Sequence, residues 1–203
     1  MKQLIIATKN QGKAKEFNVF FGQFHINTIS LLDLSETIPD IEETGTTFEE
    51  NAAIKAETIA NRMRIPVLAD DSGLMIDALD GRPGVYSARY AGEPKSDEAN
   101  IMKVLGELEG IPAEQRHARF VCVLAIAIPE QETTYYKGFC EGSIVVQPRG
   151  THGFGYDPVF IPDGYTKTMA ELAPAEKNNI SHRKNAISRL EKDLPYVMEQ
   201  LAD

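Results

Sequence analysis

Gln3-Leu-Ile-Ile-Ala-Thr8, then Lys9-Asn10-Gln11-Gly12-Lys13, then Ala14 to Phe24 is the stretch on which the fold turns. The first piece is a short apolar run, the pattern of a buried strand. The second is turn chemistry. In the third, Phe17, Phe20, Phe21 and Phe24 recur at spacings of three and four, which predicts a helix with an aromatic inner face. Strand, loop and helix in that order open an α/β chain.

The pattern continues outward. Thr46 with Glu49, or Thr47 with Glu50, makes a capping box and starts a second helix, with Phe48, Ala52, Ala56, Ile59 and Met63 on its apolar side. Ile65-Pro-Val-Leu-Ala69 reads as a strand that ends in the turn sequence Asp70-Asp71-Ser72-Gly73. Ser96-Asp97 caps a third helix that turns Ile101, Val104, Leu105 and Leu108 inward. Phe120 to Ile128 reads as a central strand. Residues 133–140 and 143–147 read as two more strands, parted by a turn at Glu141-Gly142. Gly153-Phe-Gly-Tyr-Asp-Pro-Val-Phe160 is a glycine-rich bend entering a short strand. The last helix starts near Asn179 or Ser181, buries Ile187, Leu190 and Leu194, and is bent or interrupted at Pro195. The predicted class is α/β, with parallel and antiparallel pieces in one sheet system.

Composition narrows the function. A chain of 203 residues suits one domain, elongated or bilobed. Its 42% apolar and 25% charged residues are those of a folded globular protein. The net charge of −9 disfavours broad binding to a nucleic-acid backbone but leaves room for one small anion held by clustered cations. Cys122 and Cys140 have no zinc spacing and read as free buried thiols in a reducing compartment. No signal segment is recognisable, and the apolar run from Phe120 to Ile128 is far short of the roughly 20 residues that span a bilayer. The expectation is a cytoplasmic protein without a membrane partner.

Four groups of residues carry chemistry. Thr8, Lys9, Asn10, Gln11, Gly12 and Lys13 lie between a strand and a helix, where outward N–H groups and a lysine favour an anion. The stretch lacks the first glycine and the hydroxyl residue of a Walker A loop. Glu42-Glu43, Glu49-Glu50 and Asp70-Asp71 bring carboxylates from separate segments, a donor set that suits Mg²⁺ and not zinc. If the chain stays extended at Asp70-Asp71, the two side chains point opposite ways. Lys177, His182, Arg183 and Lys184 gather near the start of the last helix, where cations oppose the dipole unless an acceptor is near. Phe154, Gly155, Tyr156 and Asp157 in the glycine-rich bend offer rings to a flat ligand.

These blocks together resemble the Ham1-like family of inosine/xanthosine triphosphate pyrophosphatases. The resemblance rests on Ala7-Thr-Lys-Asn-Gln-Gly-Lys13, Glu42-Glu-Thr-Gly45, Thr47-Phe-Glu-Glu-Asn-Ala52, Ala69-Asp-Asp-Ser-Gly73, Pro83-Gly-Val-Tyr-Ser-Ala-Arg-Tyr90, Gly153-Phe-Gly-Tyr-Asp-Pro158 and Ile180-Ser-His-Arg183, all in the family's order. Lys9 stands where many relatives carry glycine. The resemblance implies a mixed parallel/antiparallel sheet in two lobes flanking a central nucleotide cleft, a single bilobed domain over residues 1–203, and a homodimer. It implies Mg²⁺-dependent hydrolysis of ITP, dITP and XTP to the monophosphate and pyrophosphate. It assigns Thr8 to Lys13 to the phosphates, Asp71 to acid–base or metal duty, and Glu43 to the metal. Ser72, Phe154, Gly155, Tyr156, Asp157, Lys177, His182 and Arg183 are assigned to the nucleotide. Two rivals stay open: a pyrophosphatase of the same scaffold with another base preference, and a nucleotide-binding module without catalysis.

Overall fold

The computed structural model describes residues 3–34 and 38–200. One sheet of six strands has the order β2-β1-β3-β4-β5-β6, formed by β1 (Gln3–Ile6), β2 (Asn27–Ser30), β3 (Val67–Ile76), β4 (His117–Ala127), β5 (Thr134–Ile144) and β6 (Phe160–Pro162). β1 pairs in parallel with β2 and with β3, whereas β5 and β6 are antiparallel, so the sheet is mixed. Among the described residues five α-helices accompany it: α1 (Gln11–Gly22), α2 (Phe48–Met63), α3 (Asp97–Glu107), α4 (Pro174–Ile180) and α5 (His182–Gln200). Among the described residues no helix is long and apolar enough to cross a membrane.

The chain divides into two compact units. The first holds Met1–Asp71, Val123–Tyr136 and Ser188–Asp203. Its core contains Leu4, Ile5 and Ile6 of β1, Phe17, Phe20 and Phe21 of α1, Ala52, Ala56 and Ile59 of α2, and Leu190 and Leu194 of α5. The second holds Ser72–Cys122 and Lys137–Ile187. It packs Leu74, Ile76, Ile101, Val104, Leu108, Phe120, Phe160 and Leu172 into one cluster.

Local signals explain the element boundaries. Thr47 caps α2: its hydroxyl accepts the Glu50 N–H, and Glu50 accepts the Thr47 N–H in return. Ser96 caps α3 in the same manner through the Ala99 N–H.

Four sequence expectations are corrected. α1 begins at Gln11 and not at Ala14, because Asn10 supplies the cap and draws Gln11-Gly12-Lys13 into the first turn. Asp70-Asp71-Ser72-Gly73 is no turn but the middle of the ten-residue β3, where ladder pairing overrides turn propensity. Glu141-Gly142 lies inside a single β5, paired with β6 at Gly142–Pro162. α5 runs through Pro195 without ending there.

Gly138 and Gly106 separate two uses of glycine. A Cβ at Gly138 would collide with the His182 carbonyl and the Ala186 amide, both backbone groups of fixed position. A Cβ at Gly106 would meet nothing within 4 Å. Gly138→Ala is expected to lower the melting temperature by about 5–10 °C, and Gly106→Ala to raise it by about 1–3 °C, from overpacking of about 1–3 kcal/mol against a helix gain of about 0.5–1 kcal/mol. Thermal denaturation followed by circular dichroism measures both.

Candidate active site

In the first unit, the end of β1 delivers Thr8 buried, with its hydroxyl accepting the Asn10 N–H at 3.1 Å. Asn10 is the N-cap of α1, and its Oδ1 accepts the Lys13 N–H at 3.1 Å. Gln11 and Gly12 lie exposed in the first turn. First-turn N–H groups have no partner within the helix and favour an anion. Lys9 turns to Asp40 in an exposed pair at 2.5 Å, a contact that contributes little. Lys13 Nζ lies 2.6 Å from Oδ2 of Asp70, which is almost fully buried.

Asp70 joins this loop to a second group. Its main-chain carbonyl accepts from Lys55 Nζ at 2.6 Å. The same ammonium lies 3.0 Å from Glu43 Oε1 and 3.3 Å from Asp71 Oδ1. One lysine therefore ties the loop before α2 to successive residues of β3. Asp70 and Asp71 take different lysines, as the alternation of an extended strand requires. Sequence reasoning missed Lys55 because a lysine on a helix usually reads as a solvated face. The overlooked signal was its place three residues after Ala52 and four before Ile59, both on the apolar side of α2.

The electrostatics are those of a strained acid. Burial raises the Asp71 pKa from 3.8 to about 6; Lys55 opposes the rise, and Glu43 and Asp70 add to it. Burial lowers the Lys55 pKa, but Asp71, Asp70 and Glu43 together overcome that and leave it raised. Asp71 Oδ2 is buried and has no hydrogen-bond partner among the described residues. A buried carboxylate oxygen left unbonded is costly and suits a cation ligand. No group of three or more His, Cys, Asp or Glu among the described residues forms a ready metal cage. Glu43 and Asp71 thus fit a hard ion that takes its other ligands from phosphate and water, as Mg²⁺ does.

The second unit carries the aromatic group. Asp157, buried, accepts the Phe154 N–H at 2.9 Å and pairs with Lys177. Lys177 Nζ also stands 4.9 Å from the centroid of the Phe154 ring, which is 67% exposed. Gly153 has φ +82°, and a Cβ there would collide with the Asp157 carboxylate. Gly155 N–H donates to Asp97 Oδ2 at 2.7 Å, a contact that the sequence did not flag. Tyr156 turns inward, its hydroxyl donating to the Ser87 carbonyl at 2.8 Å. Burial pushes its phenol far up. His182, first in α5, stacks on Phe120 with centroids 5.1 Å apart and planes at 19°. Arg183 follows it and Ser72 sits in β3, both half-buried.

The model of the Ham1 family matches residues 4–193. The chain belongs to the Ham1 family. The dITP/XTP pyrophosphatase of Oceanobacillus iheyensis is 67% identical over 192 residues, covering 95% of this chain and 98% of that protein. That of Listeria monocytogenes is 55% identical over 201 residues, covering 99% and 98%. Among solved structures, the Ham1 protein of Staphylococcus aureus has a TM-score of 0.90 at 47% identity, covering 97% of this chain and 100% of that one.

In this Ham1-family chain the raised Asp71 pKa has a definite consequence for stability. Between about pH 4 and pH 6 the folded state holds a proton that the unfolded state has lost, so stability falls as pH rises through that window. The shift corresponds to about 3 kcal/mol at 1.36 kcal/mol per pKa unit. Asp71→Asn mimics the protonated acid, so its gain in stability over wild type is expected to be small at pH 4 and to grow to about that amount by pH 7. Urea unfolding of both proteins without added metal, at several pH values, measures it; a difference independent of pH refutes the assignment.

Proposed function

We propose that this chain hydrolyses non-standard purine nucleoside triphosphates (dITP, XTP and ITP) to the monophosphate and pyrophosphate, with Mg²⁺ as the cofactor. The observation that carries the reading is the buried Asp71, its pKa raised to about 6, set among Glu43, Lys55 and the Lys13–Asp70 pair. A regulatory module that only bound a polyanion would gain nothing from three carboxylates there. The names of the relatives agree with this chemistry.

The first unit is suited to the triphosphate. The first-turn N–H groups of α1 and the side chains of Thr8, Asn10 and Lys13 receive phosphate oxygens. Glu43 and Asp71 would hold the metal, which when bound neutralises charge that builds on the phosphoryl oxygens in the reaction. Cleavage requires water to attack the α-phosphorus in line with the leaving pyrophosphate. Asp71, with a pKa of about 6, is placed to accept a proton from that water near neutral pH. Lys55 holds Asp71 and Glu43 in register and offsets their mutual repulsion.

The second unit is suited to the base. Phe154 offers an exposed ring on which a purine can stack, and Asp157 with Lys177 sets the loop that presents it. His182 and Arg183 can donate to a 6-oxo group. Adenine presents a 6-amino group instead and would leave those donors unpaired, a mismatch that can discriminate by about 10⁴. We further propose a homodimer in the cytoplasm. Support for the compartment is the pair of free, buried thiols Cys122 and Cys140, the second pushed up to about 11 by burial and so inert.

With Mg²⁺, dITP and XTP are expected to yield pyrophosphate and the monophosphate, at rates far above dATP. Asp71→Asn is expected to lower kcat by about 10²–10⁴ with a smaller change in KM. Chromatography of products distinguishes pyrophosphate from orthophosphate. Orthophosphate as the direct product, or a preference for dTTP, refutes the reading.

A further inference from the structure

Asn51 is a fully buried polar side chain in the inward stripe of α2, beside Phe48 and Ala52. Its Oδ1 accepts the Gly45 N–H at 2.8 Å. Its Nδ2 is buried and has no hydrogen-bond partner among the described residues. One neutral hydrogen bond contributes about 1 kcal/mol, and an orphaned buried donor costs about 1–3 kcal/mol. On stability alone the amide is neutral or unfavourable at this position.

Its geometric effect is large by comparison. Asn51 and Lys55 stand four residues apart and share one face of α2. Lys55 grips the Glu43 carboxylate at 3.0 Å, and Asn51 grips the main chain two residues later at Gly45. The segment from 40 to 45 has no regular structure of its own, so such contacts set where Glu43 stands. The packing at Gly45 is tight: a Cβ there would lie 2.6 Å from Glu50 Cβ and 2.7 Å from Asn51 Oδ1. Beyond it, Glu50 accepts the N–H groups of Thr46 and Thr47, so the chain on the helix side of Gly45 is held as well.

We propose that Asn51 is a positioning residue: through Gly45 it fixes the Glu43 carboxylate and so sets the affinity for a divalent cation, while the chemistry at Asp71 proceeds without it. This rests on the reading of Glu43 and Asp71 as cation ligands. Outer contacts that orient a metal ligand affect affinity by about 10–100-fold.

The probe is Mn²⁺ bound to the full chain without nucleotide, followed by electron paramagnetic resonance. Asn51→Ala is expected to weaken Mn²⁺ about tenfold, and kcat with dITP at saturating Mg²⁺ is expected to stay within about threefold. In a Glu43→Gln background the same change is expected to have no further effect on Mn²⁺, because its route to the ion is gone. Gly45→Ala breaks the contact from the other side and is expected to weaken Mn²⁺ similarly, which keeps the test decisive should Asn51→Ala not fold. Unchanged Mn²⁺ affinity in either folded variant overturns the inference, as does an equal loss with and without the Glu43 carboxylate. If wild type releases pyrophosphate and binds Mn²⁺ but Asn51 does not matter, only this inference falls. If wild type binds no Mn²⁺ or releases no pyrophosphate, the underlying reading falls and takes this one with it.

Discussion

The Lys55 ammonium, held among Glu43, Asp71 and the Asp70 carbonyl, is the contact on which the arrangement of charge in the first unit depends. Three carboxylates confined to one region of low exposure repel one another, and each loses hydration. Lys55 and Lys13 offset that repulsion from two directions, one through Asp71 and Glu43, the other through Asp70. The balance is incomplete. Asp71 is still held well above an ordinary carboxylate, and one of its oxygens has no bond. A site left in that condition is suited to the cation and the proton transfer of the reading proposed above.

The second unit solves a different problem by different means. In the reading proposed above a flat base is met in water, for which an exposed ring, Phe154, and groups that hold it steady are suited. Asp157 does the steadying, bonded both to the Phe154 amide and to Lys177. Asp97 at the start of α3 secures Gly155, and the Tyr156 hydroxyl anchors the next residue to Ser87. The glycines are needed where they stand, since a side chain at Gly153 would displace the Asp157 carboxylate that organises the bend.

Much of this was legible residue by residue. The Phe17–Phe20–Phe21 spacing, the Thr47–Glu50 box and the Ser96 cap all appear where local rules place them, because each depends on neighbours three or four positions away. Asp70-Asp71-Ser72-Gly73 was misread. Its turn propensity is genuine, but pairing within the sheet outweighs it and carries β3 on to Ile76. The division at Glu141-Gly142 failed for the same reason, since β6 supplies the partner that keeps β5 extended. Tyr156 stood among the ligand-facing residues of the bend, yet its ring is buried, which only packing could reveal.

The sequence by itself determined the class of fold, the ordered motifs of the Ham1 family, and the acidic and basic residue types of the candidate site. Those follow from periodicity, capping and the chemistry of side chains, all written in one dimension. Only the tertiary structure decided which charges meet. Lys55 lies 12 residues from Glu43 and 16 from Asp71, and Lys13 lies 57 from Asp70. No local rule relates positions so far apart. They are brought together because strands β1 and β3 are adjacent and α2 buries the face that carries Asn51 and Lys55, so the pairing of charges is a product of core packing and not of proximity along the chain.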